Sequence, residues 1–323
     1  MHLVDTNASI YVAGHRGLVG SAIVDELRRQ GFDNLILRTS AELDLRDQSA
    51  VDAFFSTHAP HFVILAAARV GGILANDSRP AEFIADNLSI QTNVIRAAHE
   101  ADVQRLIFLG SSCIYPREAP QPLREEYLLT GPLEPTNQWY AVAKIAGLKM
   151  CEAYRRQHGS DFLTLMPTNV YGPGDNMDPQ SSHVLAALLR KFHEAKHAGQ
   201  PNPAVTVWGS GTPRREFIYS RDLAEAVVFI LKKPAEQLYQ VAPDGMLNVG
   251  VAADMTIMEL AERIREAVDL NCTIELDLSK PDGTPRKLMD TSRLAQLGWQ
   301  PTTRFEDGLR EMYEWYRQDA VLS

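Results

Sequence analysis

Cysteine is scarce in this chain of 323 residues. The three present, Cys113, Cys151 and Cys272, lie far apart, are odd in number and show no C-x-x-C spacing. That pattern excludes a disulfide framework or a structural zinc site as the organising principle; free thiols and no bound metal are expected. Long apolar runs are missing as well. Nothing approaches the roughly 20 residues that a bilayer span requires, and the start, MHLVDTNASIYVAG, has no basic leader followed by an apolar stretch. No membrane partner is expected, and the cytoplasm is the expected location. Basic residues are outnumbered, 32 Lys and Arg against 41 Asp and Glu, for a net charge of -9. A polyanion would meet a mostly acidic surface, so nucleic acid is not an expected partner, and an anionic ligand must be met by a local group of cations. Internal repeats and low-complexity tracts are absent too. The glycosylation-type triplets at Asn7, Asn87 and Asn271 lack a secretory context and carry no weight.

What is present is an ordinary globular composition, 45% apolar and 23% charged, in a length that accommodates one large α/β unit or two modest domains. Short β-branched apolar runs at 9–13, 34–37, 62–66, 105–109 and 163–166 alternate with helix-period segments at 17–30, 47–57, 80–100 and 137–158. Such alternation predicts repeated βα units winding a parallel sheet with helices on both faces. After Pro167 the pattern loosens through YGPGDNMDPQ. A basic amphipathic helix at 183–197 then leads into a mixed half, with strands near 205–208, 217–219 and 247–249 and helices near 221–232, 257–268 and 305–317. The expected fold class is α/β: a doubly wound parallel Rossmann sheet with a smaller mixed α/β substrate-binding domain. Its expected boundaries are 1–172 for dinucleotide binding, joined by about 217–240, and 173–323 mainly for substrate. The second part should lie across the strand ends, where ligands of such folds bind.

Gly14-His15-Arg16-Gly17-Leu18-Val19-Gly20 follows the first strand and opens a helix, with glycines spaced G-x-x-G-x-x-G. An early glycine permits the tight turn, a middle one lets backbone approach a pyrophosphate, and the last allows close helix packing. The helix start then offers free N–H groups to phosphate oxygens. An NAD site usually carries a carboxylate at the end of the second strand, to accept from the ribose hydroxyl. This chain has Leu37-Arg38-Thr39-Ser40 there. With Arg16 nearby, Arg38 can pair a 2′-phosphate, which favours NADP(H), although Glu42 and Asp44 follow closely.

Tyr140 and Lys144 stand four apart in a helix-period segment, so phenol and ammonium share one face. A phenol with a pKa near 10 exchanges protons poorly at neutral pH, and a neighbouring cation favours its ionised form. Ser111 and Ser112 end the preceding strand and supply a hydroxyl to share a substrate oxygen. Ser111 and Cys113 sit two apart in SSCIYP. In an extended segment their side chains would point the same way, into one pocket.

These features together resemble the extended short-chain dehydrogenase/reductase family. The longer motifs SSCIYP, PTNVYGPGDN, SHVLAALLRKF, WGSGTPRREF and SKPDGTPRKLMD resemble its members that epimerise and reduce GDP-keto-sugars, over essentially the whole chain. The resemblance implies inversion at C3 and C5 of GDP-4-keto-6-deoxy-D-mannose, then reduction at C4 with NADPH, in a homodimer. It assigns Cys113 as base, His183 as acid, Ser111 and Tyr140 as partners of the C4 oxygen, and Lys144 as a ribose contact. A thiol of pKa about 8.5, lowered slightly by local charge, suits proton removal, and an imidazole near 6.5 suits donation.

The resemblance implies cofactor contacts from Gly14 through Gly20, from Arg38 and Ser40, and from Leu109, Gly110, Ser111 and Ser112. Lys144, Pro167, Thr168, Asn169, Val170 and His183 complete that set. Of the cations Arg190, Lys191, Arg214, Arg215, Arg286 and Lys287, it places Lys191, Arg215 and Lys287 with Trp208 around the GDP-sugar. Lysine at 191, where some relatives carry arginine, gives a point charge without a bidentate fork. Two other readings fit the motifs: a nucleotide-sugar epimerase or dehydratase with tightly held NAD, or a non-catalytic NADP-binding regulator. Net consumption of NADPH separates them from the first.

Overall fold

The computed structural model describes residues 4–179, 181–280 and 282–322. Pro281, inside the motif SKPDGTPRKLMD, lies outside the described residues. Continuous apolar runs form the central strands because both faces are covered by helices, leaving no polar side to alternate. Thus β1 (Ile10–Ala13), β3 (Phe62–Leu65) and β4 (Arg105–Leu109) are buried at every position. With β2 (Leu35–Ile36), β5 (Phe162–Pro167) and β9 (Met246–Val249) they form a six-stranded sheet in the order β2-β1-β3-β4-β5-β9. All its pairings are parallel. Order reverses at β1, which pairs β2 on one side and β3 on the other, and this opens a crevice at the strand ends.

Alternation along β1 shows how the layers divide. Ile10 and Val12 pack with Ile23, Val24 and Leu27 of α1 (Leu18–Arg29) and with α7 (Ser220–Lys232). Tyr11 and Ala13 point the other way, joining α2 (Gln48–His58), α4 (Pro80–Glu100) and α5 (Gln138–His158). The short helix α3 (Ile73–Ser78) precedes α4.

The second core gathers α6 (Val184–His197), α9 (Ile257–Val268) and α11 (Phe305–Leu322) around small sheets. Here β8 (Arg214–Tyr219) runs between β10 (Asp254–Thr256) and β12 (Arg286–Lys287) and also pairs β6 (Asn169–Tyr171). Beside them β7 (Ala204–Trp208) pairs β11 (Thr273–Asp277) in parallel. Helices α8 (Ala235–Val241) and α10 (Ser292–Gln296) flank β9.

The main strands and helices fall within a few residues of the expected bounds. Two differences matter. Strand β8 begins at Arg214, three residues before the apolar run at 217, because Asp254 across the sheet accepts from Arg214 and lets a charged segment pair. SSCIYP is not extended throughout: Ser111 caps a 3-10 turn over Ser112–Ile114.

Candidate active site

A cleft of about 1310 Å³ runs along the strand ends between the two cores. At one end, the glycine loop turns from β1 into α1. Gly14 has φ +86°, and a Cβ there would sit 2.7 Å from the Ala67 backbone nitrogen; a Cβ at Gly20 would come within 2.1 Å of the Gly14 carbonyl oxygen. Only glycine lets the loop close this tightly. Gly17 caps α1 without a side chain, and no acidic residue stands in the first turn. The helix N–H groups therefore face the cleft and suit a pyrophosphate. His15, Arg16, Leu18 and Val19 line the same end, and burial followed by the neighbouring Arg16 lowers the His15 pKa.

Arg38 and Ser40 line the cleft at the end of β2. The two following carboxylates are engaged: Glu42 accepts from the Thr39 amide at 2.7 Å and hydroxyl at 2.8 Å, and Asp44 accepts from Arg46 at 2.8 Å. The basic end thus suits a 2′-phosphate rather than a ribose diol.

At the centre, β4 delivers Leu109, Gly110, Ser111 and Ser112, while β5 and β6 bring Pro167, Thr168, Asn169 and Val170. The Ser111 hydroxyl accepts from the Cys113 amide at 3.3 Å. Both residues still line the cleft, because the 3-10 turn, rather than a pleat, carries the thiol round. Lys144 is 3% exposed; its Nζ donates to the Leu109 carbonyl oxygen at 2.7 Å and lies 4.6 Å from the Phe108 ring centre and 5.6 Å from that of Tyr140.

Burial governs the protonation of this group and corrects two expectations. It pushes the Cys113 thiol up, outweighing Lys287, the Ser111 hydroxyl and Lys144, so local charge does not leave the thiol lowered. Burial also pushes the Tyr140 phenol up, with Cys113 adding to it, so Lys144 does not favour phenolate at rest. Lys144 itself falls to about 8, again through burial, with Cys113 opposing. The physical reason is common to all three: low-dielectric surroundings penalise either charge. His183 caps α6, is open toward the cleft, and has its pKa lowered by desolvation and then by Lys287.

The far end sorts the cations. Arg215 and Lys287 are register partners across β8 and β12, and both line the cleft. Their neighbours Arg214 and Arg286 point to the other face, where both bind Asp254, as the two-residue strand period requires. Arg190 is paired with Glu194 at 2.6 Å. Burial brings Arg215 down to about 10 and lowers Lys287. Lys191 donates to the Thr206 carbonyl oxygen at 2.8 Å and lies 5.1 Å from the Trp208 ring centre, with Lys280 at 5.4 Å. Trp208 remains 48% exposed, a flat apolar surface at the cleft mouth.

Sequence reasoning missed several residues. Glu134 is buried in the wall, 3.5 Å from Arg117 and 3.4 Å from the Thr284 hydroxyl, and its charge acts on Arg215 and Lys287. Asp175 lines the cleft, buried and pushed up to about 7 by that burial. Glu216 lies fully buried behind Arg215; its carboxylate accepts the Val251, Ala252 and Met289 amides at 2.6, 2.8 and 2.8 Å. Asp175 and Glu216 lie within the motifs PTNVYGPGDN and WGSGTPRREF without being singled out there, and Glu134 lies outside the motifs.

Residues 10–250 match the NAD dependent epimerase/dehydratase family. A putative GDP-L-fucose synthase 2 of Arabidopsis thaliana is 56% identical over 319 residues, covering 99% of this chain and 94% of its own. The GDP-L-fucose synthase of Escherichia coli (strain K12) is 51% identical over 313 residues, covering 96% and 97%. A solved structure of a GDP-L-fucose synthetase from Naegleria fowleri bound to NADP is similar at a TM-score of 0.87 and 25% identity, covering 99% of this chain and 97% of that one.

Proposed function

Since the chain belongs to the NAD dependent epimerase/dehydratase family and groups with its GDP-L-fucose synthases, we propose a residue-level account of that activity in its own cleft. The protein is an NADPH-dependent enzyme that converts GDP-4-keto-6-deoxy-D-mannose to GDP-L-fucose. The observation that carries the account is the meeting of Cys113, His183 and Lys287 with Ser111, Tyr140 and Lys144 in one cleft. Hydrogens at C3 and C5 are acidic because both carbons flank the ketone, and their inversion needs an acid and a base that reach opposite ring faces. Cys113 is the base. Its raised pKa makes it a thiol at rest, and Lys287, which acts to lower it, stabilises the thiolate. His183, whose pKa is lowered, takes the thiol proton as the pair ionises and delivers it to carbon from the other face. Cys113 keeps the proton it removes, so that thiol and neutral imidazole are restored. Ser111 and Tyr140 hold the C4 oxygen during both inversions.

NADPH supplies the hydride for C4 when bound. Tyr140 then gives its phenolic proton to the C4 oxygen, and Lys144 holds the ribose. Arg215, Lys287 and Lys191 meet the diphosphate, with Trp208 against the guanosine. On this account 1–172, joined by about 217–240 and by β9, hold the cofactor and 173–323 mainly the sugar nucleotide; packing of α7 and β9 into the first core supports this. The test is incubation with GDP-4-keto-6-deoxy-mannose and NADPH in deuterated water. Loss of NADPH absorbance with deuterium at C3 and C5 is expected; no exchange at either carbon overturns the isomerase half.

The enzyme acts as a cytoplasmic homodimer without membrane or nucleic-acid partners. Support comes from the net charge of -9 and from Trp139 and Val142, each 41% exposed on one face of α5. Sedimentation equilibrium is expected to give twice the 36.0 kDa chain mass, and Trp139→Glu to give a monomer.

A further inference from the structure

At the cofactor end, Arg38 does not stand alone. Its Nη1 donates to the Leu37 carbonyl oxygen at 2.9 Å, and its Nη2 lies 3.1 Å from Nε2 of His58. His58 ends α2, and its ring stacks on Phe54 with centres 4.5 Å apart and planes 27° from parallel. Phe54 in turn lies 4.6 Å from the ring of Tyr11, which lines the cleft. Nδ1 of His58 is 3.0 Å from the Phe54 carbonyl oxygen.

These contacts determine the state of the imidazole. A carbonyl oxygen can only accept, so Nδ1 carries a proton; a guanidinium can only donate, so Nε2 offers its lone pair. Both demands are met by one neutral tautomer. Of the five N–H donors of a guanidinium, two are thereby used on uncharged acceptors, and the rest stay available to a ligand. Arg38 makes no ion pair with Glu42, the nearby carboxylate: Glu42 senses its charge but accepts from the Thr39 amide and hydroxyl, which leaves the guanidinium charge open to a ligand. A carboxylate in the place of His58 would orient the guanidinium equally well but cancel that charge.

We propose that His58 is a positioning residue for cofactor choice: as a neutral acceptor it holds the Arg38 guanidinium toward the 2′-phosphate that distinguishes NADP(H) from NAD(H). This rests on the reading above that Arg38 meets that phosphate. The experiment is isothermal titration of the full-length protein with NADP+ and, separately, with NAD+, for wild type, His58→Ala, His58→Gln, Arg38→Ala and the double Ala variant, with thermal midpoints recorded for each.

His58→Ala is expected to weaken NADP+ about five- to tenfold, as for loss of one charge-assisted hydrogen bond, and to leave NAD+ unchanged. His58→Gln, whose amide oxygen can accept, recovers most of the loss. The double variant binds NADP+ no worse than Arg38→Ala, since His58 acts through Arg38. Equal weakening of both dinucleotides, or none, overturns the role of His58. An unaltered NADP+ to NAD+ ratio in Arg38→Ala overturns the phosphate assignment and this inference with it. Wild type that binds NADP+ but turns over no keto sugar would overturn the proposed function and leave the role of His58 standing.

Discussion

At the scale of single residues, Cys113 does what a serine there could not. Ser111 already presents a hydroxyl to the cleft, and Cys113 adds a thiol, which ionises far more readily than a hydroxyl even when burial raises its pKa. Its raised pKa makes the thiol a strong base once ionised, and Lys287 limits the cost of ionising it. Cys113→Ser is therefore expected to keep NADPH binding, measured by fluorescence, while proton exchange at C3 and C5 falls by about 100-fold or more, as for removal of a general base. Tyr140→Phe is expected to show the opposite division, with reduction impaired by a similar factor and exchange largely retained. Mass spectrometry of the recovered sugar nucleotide reads exchange, and NADPH absorbance reads reduction. Normal exchange in Cys113→Ser would overturn the base assignment and leave the thiol as a small buried group.

At the scale of elements, β8 and β12 act as a sorting device. Each presents two adjacent basic residues, and the strand period turns one toward the cleft and one toward Asp254. The device is anchored from behind by Glu216. Its carboxylate ties β8 to the turn after β9 and to the residue that follows β12 by two, while its carbonyl oxygen accepts from Thr168 and Asn169. A Cβ at Gly250 would lie 2.4 Å from that carboxylate, so the turn has no room for a larger residue. Glu216→Ala would leave three backbone donors without acceptors. Of the three residues only Met289 is buried; an unsatisfied buried group costs about 1–3 kcal/mol, and a loss of about that size in urea denaturation is expected. Because Arg215 and Lys287 lose their register, KM for the GDP-sugar should rise more than KM for NADPH. A proportionate rise in both would remove the anchoring role.

At the scale of the whole molecule, three buried carboxyls, Glu125, Glu216 and Asp175, are each raised to about 7 by burial. In the unfolded chain such groups ionise near 4. Their protonated forms favour the fold, so the stability they contribute is full below about pH 4 and is lost as pH rises through about 7. The net charge of -9 acts in the same direction, since each further ionisation adds to self-repulsion. The urea midpoint is expected to fall between pH 6 and pH 8; a midpoint that stays level or rises would mean these carboxyls are ionised in the fold at pH 6.

The sequence by itself determined the order of strands and helices and the glycine loop, and it brought Ser111, Cys113, Tyr140 and Lys144 forward as candidates. Each of these is written in a few consecutive residues, where apolar period and backbone sterics act locally. Tertiary structure decided the rest. It turned Arg215 and Lys287 to the cleft and Arg214 and Arg286 to Asp254, drew β9 from the second half of the chain into the first sheet, and raised the Cys113 thiol instead of lowering it. It also placed Glu216 against the Met289 amide, 73 residues away. Pairing and desolvation of this kind depend on which distant segments come to lie together, and no local pattern records that.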